Sequence, residues 1–338
     1  MDYRSEAPPI LRDFLAYHEN IKNHSQRTID EYYLDLRMFF RYLKKIRGFI
    51  SPDAEFNDIP IYDVELSLLA GVTLADVYGF LTYLSRDRVK SARSSSKRIG
   101  LSATTRARKI AVIRSLYKYL TVKAHLIEEN PLQGLDSPKT QQSLPRYLSL
   151  DESRRLLESV DGKNSERDYC IICIFLNCGL RISEIVGLNI SDIREDHLRV
   201  LGKGNKERVV YLNDACADAI NSYLIVRKNI AALDKDAMFL SNRRTRISRE
   251  SIHHMVKKTL LRAGLDASKF SSHKLRHTAA TLMLQNGVDV RTLQELLGHE
   301  HLNTTQIYTH VDNTELRTAA RANPLGSFKQ KKSKKSDN

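Results

Sequence analysis

The sequence predicts a mainly α-helical protein of two domains, with one small β hairpin in the second. Three observations predict it. The chain has 338 residues, enough for about two ordinary domains that each bury a core of their own. Most apolar residues recur at the spacing that places them on one stripe of a helix. Only Leu198 to Leu201 and Arg208 to Leu212 alternate as strands do, and Gly202-Lys203-Gly204-Asn205 between them reads as a turn.

From Thr28 onwards Tyr32, Leu36, Phe39, Phe40 and Leu43 predict a first amphipathic helix, and Gly48 and Pro52 end it. A second follows Thr73, with Leu74, Val77, Leu81 and Leu84 on one stripe. A third opens at Thr104 or Thr105, either of which can cap it, and turns Ile110, Ile113, Tyr117 and Leu120 inward. Its other faces hold Arg106, Arg108, Lys109, Arg114 and Lys118, expected to meet solvent or a polyanion. Asp87 to Leu101 has no apolar period and reads as a flexible basic loop. Around Asn130 to Leu148, Pro131, Gly134, Pro138 and Pro145 break the pattern, so a linker over 136–147 is expected to separate a domain at 1–135 from one at 148–325.

The second domain opens with helices near Leu150 to Val160 and Asp168 to Leu176, followed by the hairpin. Helices return at Arg249 to Ala263, Leu275 to Gln285, Val290 to Leu297 and Thr304 to His310, and Glu315 to Arg321 closes the series. Residues 326–338 form a tail, whose stretch Lys329 to Asn338 holds five lysines and reads as disordered.

Composition narrows the function. Lys plus Arg number 54 against 40 Asp plus Glu, a formal charge of +14, while 41% of residues are apolar. That combination belongs to a folded protein with a polyanionic partner. No apolar run is long enough for a signal peptide or a membrane span, so a cytoplasmic protein without a membrane partner is expected. The four cysteines are too few for a disulfide framework; Cys170, Cys173 and Cys178 on one apolar segment, with Cys216 elsewhere, read as core packing. The chain lacks a Gly-x-x-x-x-Gly-Lys-Ser/Thr loop and a His-Glu-x-x-His pair, so no nucleotide, cofactor or metal is expected.

The residues able to carry chemistry each have an ordinary reading too. Arg181 and Glu184 share a helix face at i,i+3, as surface ion pairs often do. Lys203 stands at a hairpin tip, where a solvated lysine is unremarkable in kind. His273 and Arg276 lie one helical turn apart, so an imidazole and a planar guanidinium fork can converge on one phosphate. His273 and His277 are spaced as a metal pair, but a metal needs a third ligand. His299 follows Gly298 at a helix end, and Thr304 or Thr305 can cap a short helix that presents Tyr308. The joint order of two arginines, a lysine, two histidines and a tyrosine is far more specific than any member.

Together the segments Gly179-Leu180-Arg181-Ile182-Ser183-Glu184, Gly202-Lys203-Gly204, His273-Lys274-Leu275-Arg276-His277, Leu296-Leu297-Gly298-His299 and Thr304 to His310 closely resemble the motifs of the tyrosine recombinases, nearest to their Xer-like members. The resemblance covers essentially the whole chain. It implies a helical core-binding (SAM-like) N-terminal domain and a mostly helical catalytic domain, closing as a C-shaped clamp on DNA. It assigns Tyr308 as the nucleophile that forms a 3′-phosphotyrosyl link, Arg181 and Arg276 as clamps on the phosphate, and Lys203 as the acid for the leaving 5′ oxygen. His273 then takes the tyrosine proton and His299 bonds the phosphate, while Glu184 either orients Arg181 or has a structural role alone. Arg106, Arg108, Lys109, Arg243, Arg244 and Arg246 are expected to contact DNA phosphates. The implied partners are double-stranded DNA with an inverted-repeat site, three further copies in a tetramer, and a homologous recombinase or a DNA translocase. Each subunit's Glu315 to Arg321 helix would dock on a neighbour through Leu316 and Ala319 or Ala320. On that reading, truncation after Asp312 spares DNA binding and abolishes cooperative strand exchange.

Lys45 to Gly71 and Asp87 to Leu101 look like insertions relative to the family pattern. The Xer-like wording of the motifs implies resolution of chromosome or plasmid dimers; integration or excision of a mobile element is the alternative, since both use the same six residues. A type IB topoisomerase and a DNA-binding protein without catalysis are the alternatives from other classes.

Overall fold

A computed structural model describes residues 3, 5–51, 53–86, 100–136, 146–202, 207–298 and 318–328. It divides into two compact units, Met1–Ser143 and Leu144–Asn338. Five α-helices build the first: α1 (Pro9–Ala16), α2 (Gln26–Ile46), α3 (Leu66–Ala70), α4 (Leu74–Arg86) and α5 (Ala103–Val122), with a π-helical turn at Tyr17–Ile21 after α1. Their apolar stripes meet in one core, where Phe14, Leu36, Phe39, Phe40, Phe80, Ile110, Ile113, Leu116 and Leu120 are wholly buried. The expected stripes of α2, α4 and α5 all contribute to it. Lys45 to Gly71 packs closely on this core: Ile61, Val64 and Leu69 are buried, and Lys44 Nζ donates to Asp63 at 2.7 Å and to the Pro60 carbonyl at 2.9 Å.

Two expectations for this unit are corrected. The cap of α5 is Ser102, whose hydroxyl accepts from the Thr105 amide at 3.2 Å, rather than Thr104 or Thr105. Lys109 does not face outward: it is buried, and its ammonium lies 2.5 Å from Asp35 Oδ1. Asp35 sits on the inner side of α2 with a side chain only 1% exposed. A carboxylate so placed needs a matching cation, and Lys109 is that cation, with Arg108 bridging from the other side at 2.8 Å. Arg108 also pairs with Glu31 at 3.1 Å.

The second unit comprises α6 (Leu150–Glu158), α7 (Ser165–Cys178), α8 (Ile182–Gly187), strands β1 (His197–Leu201) and β2 (Glu207–Tyr211), α9 (Asp214–Lys228), α10 (Arg249–Arg262), α11 (Ser272–Gln285) and α12 (Val290–Leu297). A capping box starts α6, with the Ser149 amide donating to Glu152 at 2.8 Å and the Glu152 amide donating to Ser149 Oγ at 3.1 Å. Helix α7 is the centre of the unit: every residue from Tyr169 to Cys178 is buried, with α9 and α11 packed against it. All four cysteines are buried free thiols, and Cys216 on α9 brings its sulfur within 3.7 Å of Cys173 and 3.6 Å of Cys178. The strands pair antiparallel, with Leu198 opposite Val210. Helix α9 lies where the sequence pattern gave no helix, because its inner stripe of Ala215, Cys216, Ala219, Ile220 and Tyr223 is largely of small residues.

Residues 318–321 form a last helical turn, and Ala319, Ala320 and Leu325 are buried within their own chain. Of the contacts expected to dock on a neighbour, Ala319 and Ala320 are therefore covered in cis, while Leu316 lies outside the described residues. Also outside them are Asp87 to Ile99, most of the expected linker, the short helix at Thr304 to His310, and the lysine tail from Lys329. Among the described residues no helix is long and apolar enough to cross a membrane.

Candidate active site

Helix α7 ends at Gly179, whose φ of 60° is a left-handed conformation that glycine adopts without strain. A Cβ there would also lie 2.6 Å from Leu297 Cδ2, so that side chain would have to shift. The tight turn delivers Arg181 directly to the start of α8. Its amide donates to Glu184 Oε2 at 2.7 Å, its guanidinium to Glu184 Oε1 at 2.8 Å, and the same guanidinium to the Gly298 carbonyl at 2.9 Å.

Arg276 arrives from α11 and is buried. Its fork bridges two helix ends, donating to the Gly179 carbonyl at 2.5 Å and the Leu297 carbonyl at 2.8 Å. The carbonyls that end α7 and α12 are thus satisfied by one side chain, which in turn is fixed in place by them. Burial, and next the nearby charge of Arg181, lower the Arg276 pKa to about 10, so it stays protonated at neutral pH.

Glu184 is the common partner. Its side chain is 3% exposed, and Arg208 from β2 closes the cluster by donating to Oε1 at 2.8 Å and Oε2 at 3.0 Å. Burial alone would raise the Glu184 carboxyl, but the bonds from Arg208 and Arg181 outweigh it and hold the group below its ordinary value. Three guanidinium groups thus surround one carboxylate, leaving two positive charges in excess. A site with that surplus, its arginines tied to backbone carbonyls, is organised for an anion such as a phosphate.

His273 is exposed on the first turn of α11, one turn before Arg276. His277 is half-buried, and burial with Lys274 and His273 beside it holds its pKa below the usual value. Among the described residues no group of three metal-ligating side chains occurs around this pair or elsewhere. Lys203, His299 and Tyr308 lie outside the described residues; Gly202 and Gly298, which flank the first two, are described.

The residues expected at DNA phosphates divide. Arg243 and Arg244 are exposed, Arg244 with a φ of 65°. Arg246 instead braces the fold, donating to the Val186 and Leu188 carbonyls at 3.0 Å each, to Asn189 at 2.7 Å and to Asp234 at 3.2 Å. Arg106 is half-buried, and Lys109 is enclosed with Asp35 as described above. Arg208 is the site residue that sequence reasoning missed. It shares a strand face with Val210, which is buried, so an inward-facing arginine in β2 was the available signal.

A model of the phage integrase family matches residues 146–315. The chain is 51% identical over 319 residues to a tyrosine recombinase XerC of Caldanaerobacter subterraneus subsp. tengcongensis, spanning 94% of this chain and 87% of that protein. It is 39% identical over 276 residues to a tyrosine recombinase XerD of Yersinia pestis, spanning 77% of this chain and 89% of that one. Among solved structures it is similar to the XerH site-specific recombinase bound to difH substrate in a pre-cleavage complex, at 25% identity and a TM-score of 0.58, over 92% of this chain and 84% of that one. The chain belongs to the phage integrase family, the tyrosine recombinases. Within that family it is a site-specific recombinase of the Xer type.

Proposed function

We propose that this recombinase binds double-stranded DNA at an inverted-repeat site and exchanges strands through a 3′-phosphotyrosyl intermediate, serving the resolution of chromosome or plasmid dimers. The convergence of Arg181, Arg208 and Arg276 on Glu184, with two positive charges in surplus, is the observation that carries the reading. In the proposed reaction the Tyr308 oxygen attacks the scissile phosphorus and the bond to the 5′ oxygen breaks. His273 takes the tyrosine proton, Lys203 delivers one to the departing oxygen, and His299 bonds the phosphate. Arg181 and Arg276 neutralise the charge that gathers on the non-bridging oxygens. The 5′-hydroxyl of a partner strand then reverses the steps and reseals the backbone, so the energy of the bond is conserved. Exposed Arg243 and Arg244 and half-buried Arg106 support backbone contacts.

The proposed assembly is a tetramer on two sites, with the Glu315 to Arg321 segment of each subunit docking on a neighbour, and with a homologous recombinase or a translocase as further partner. The test is to incubate the protein with fragments of its host genome, quench with detergent, and sequence any DNA attached covalently, with Tyr308→Phe alongside. Adducts that map to one short inverted repeat and vanish in the variant are expected. Adducts scattered over the genome would establish topoisomerase-like action instead.

A further inference from the structure

We infer that Arg208 is a positioning residue of the active site, holding the Glu184 carboxylate and through it the Arg181 guanidinium in the attitude that grips the scissile phosphate. This rests on the reading of Arg181 as a phosphate clamp. Each Glu184 oxygen takes one bond from Arg181 and one from Arg208: Oε1 from the two guanidinium groups, at 2.8 Å each, and Oε2 from the Arg181 amide at 2.7 Å and Arg208 at 3.0 Å. A carboxylate held on both oxygens from two sides cannot rotate. Without Arg208, Glu184 keeps only the bonds from Arg181.

The charge balance gives Arg208 a second task. A carboxylate bonded to a phosphate-binding arginine cancels the very charge the arginine brings. Arg208 supplies the compensating cation, so Arg181 faces DNA with its charge intact. The burial of the two arginines matches this division: the Arg181 side chain is 37% exposed and that of Arg208 16%. Arg208 Nε is buried without a hydrogen-bond acceptor, so its fork is committed to Glu184 rather than spread over several partners. Glycine at 298 leaves room for the same side chain. A Cβ at Gly298 would meet Arg208 Cδ, Nε and Cζ at 3.1–3.2 Å, and the Gly298 carbonyl is the one that Arg181 holds.

The experiment measures single-turnover covalent attachment to a duplex that carries the chain's own attachment site, with either a phosphodiester or an uncharged methylphosphonate at the scissile position. Arg208→Ala and Arg181→Ala are both expected to slow attachment to the phosphodiester by about 10²-fold. On the methylphosphonate, which has no charge for Arg181 to neutralise, both variants should approach the wild-type rate on that substrate. The acid limb of the pH profile should also move to higher pH in Arg208→Ala, because Glu184 loses bonds that depress its pKa. Arg208→Lys keeps a cation without the fork and is read in the same way, which covers an alanine variant that does not fold. Rescue of Arg181→Ala without rescue of the Arg208 variants would overturn the inference, as would wild-type rates in those variants on the phosphodiester. Failure to rescue Arg181→Ala, or no attachment by the wild type, would overturn the clamp reading itself and the inference with it.

Discussion

Asn323 donates a hydrogen bond from Nδ2 to the Leu176 carbonyl at 2.9 Å, tying the C-terminal segment to the last turn of α7, three residues before Gly179. Its Oδ1 accepts from the Leu325 amide at 2.9 Å, and Leu325 is wholly buried. The segment is thus part of the core that ends at the arginine turn. Leu325→Ala should destabilise the protein by about 2–5 kcal/mol, and Asn323→Ala by about 1–3 kcal/mol. Urea unfolding checks both. Truncation after Asp312 should accordingly lower stability as well as abolish strand exchange, while the fraction that stays folded keeps its DNA binding. Unchanged unfolding in the truncated chain would contradict the docked arrangement.

Lys109 and Arg243 separate structural charge from surface charge. Lys109→Ala leaves Asp35 buried with less compensation and should cost about 3–5 kcal/mol of stability, with little effect on the salt dependence of DNA binding. Arg243→Ala should leave stability within about 0.5 kcal/mol and reduce the salt slope of DNA binding by about 1. Thermal unfolding and binding titrations over a range of salt read the two effects independently.

Gly179 is constrained twice, by its left-handed φ and by Leu297. Gly179→Ala should cost about 1–2 kcal/mol for the backbone alone, and more for the displaced Leu297 side chain. Because the Gly179 and Leu297 carbonyls both hold Arg276, covalent attachment should fall by more than the loss of folded protein explains. The check is the attachment rate under conditions where circular dichroism shows the variant folded.

The Glu184 carboxyl supplies a pH prediction with a definite sign. Its folded pKa is depressed below 4.5, so its ionised form stabilises the fold fully above that value, and the stabilisation is lost as pH falls through the folded pKa. The difference in urea midpoint between wild type and Glu184→Gln should be constant above about pH 5.5 and shrink steadily below it. A difference independent of pH would show that the carboxyl titrates alike in both states.

Most of the helical frame was legible because its cores are built from stripes such as Leu36, Phe39, Phe40 and Leu43, where spacing alone gives the face. Helix α9 escaped because Ala215, Ala219 and Cys216 are too small to stand out, and its partners on α7 lie far away in sequence. The arginine pair was legible from local motifs. Its anchoring was not, since Gly179, Leu297 and Gly298 contribute carbonyls, which carry no sequence identity. Lys109 shows the converse limit: a lysine beside Arg108 reads as surface charge until Asp35, on another helix, is placed against it. Arg208 lay within reach, because its alternation with Val209 and Val210 turns it inward.

The central claim is that Tyr308 carries the DNA. The most direct measurement traps the covalent complex, digests the DNA to a nucleotide remnant and the protein to peptides, and locates the remnant by mass spectrometry. The account predicts one modified residue, Tyr308, joined through phosphate to the 3′ oxygen of the nucleotide. A remnant on any other side chain, or one joined through the 5′ oxygen, would contradict it.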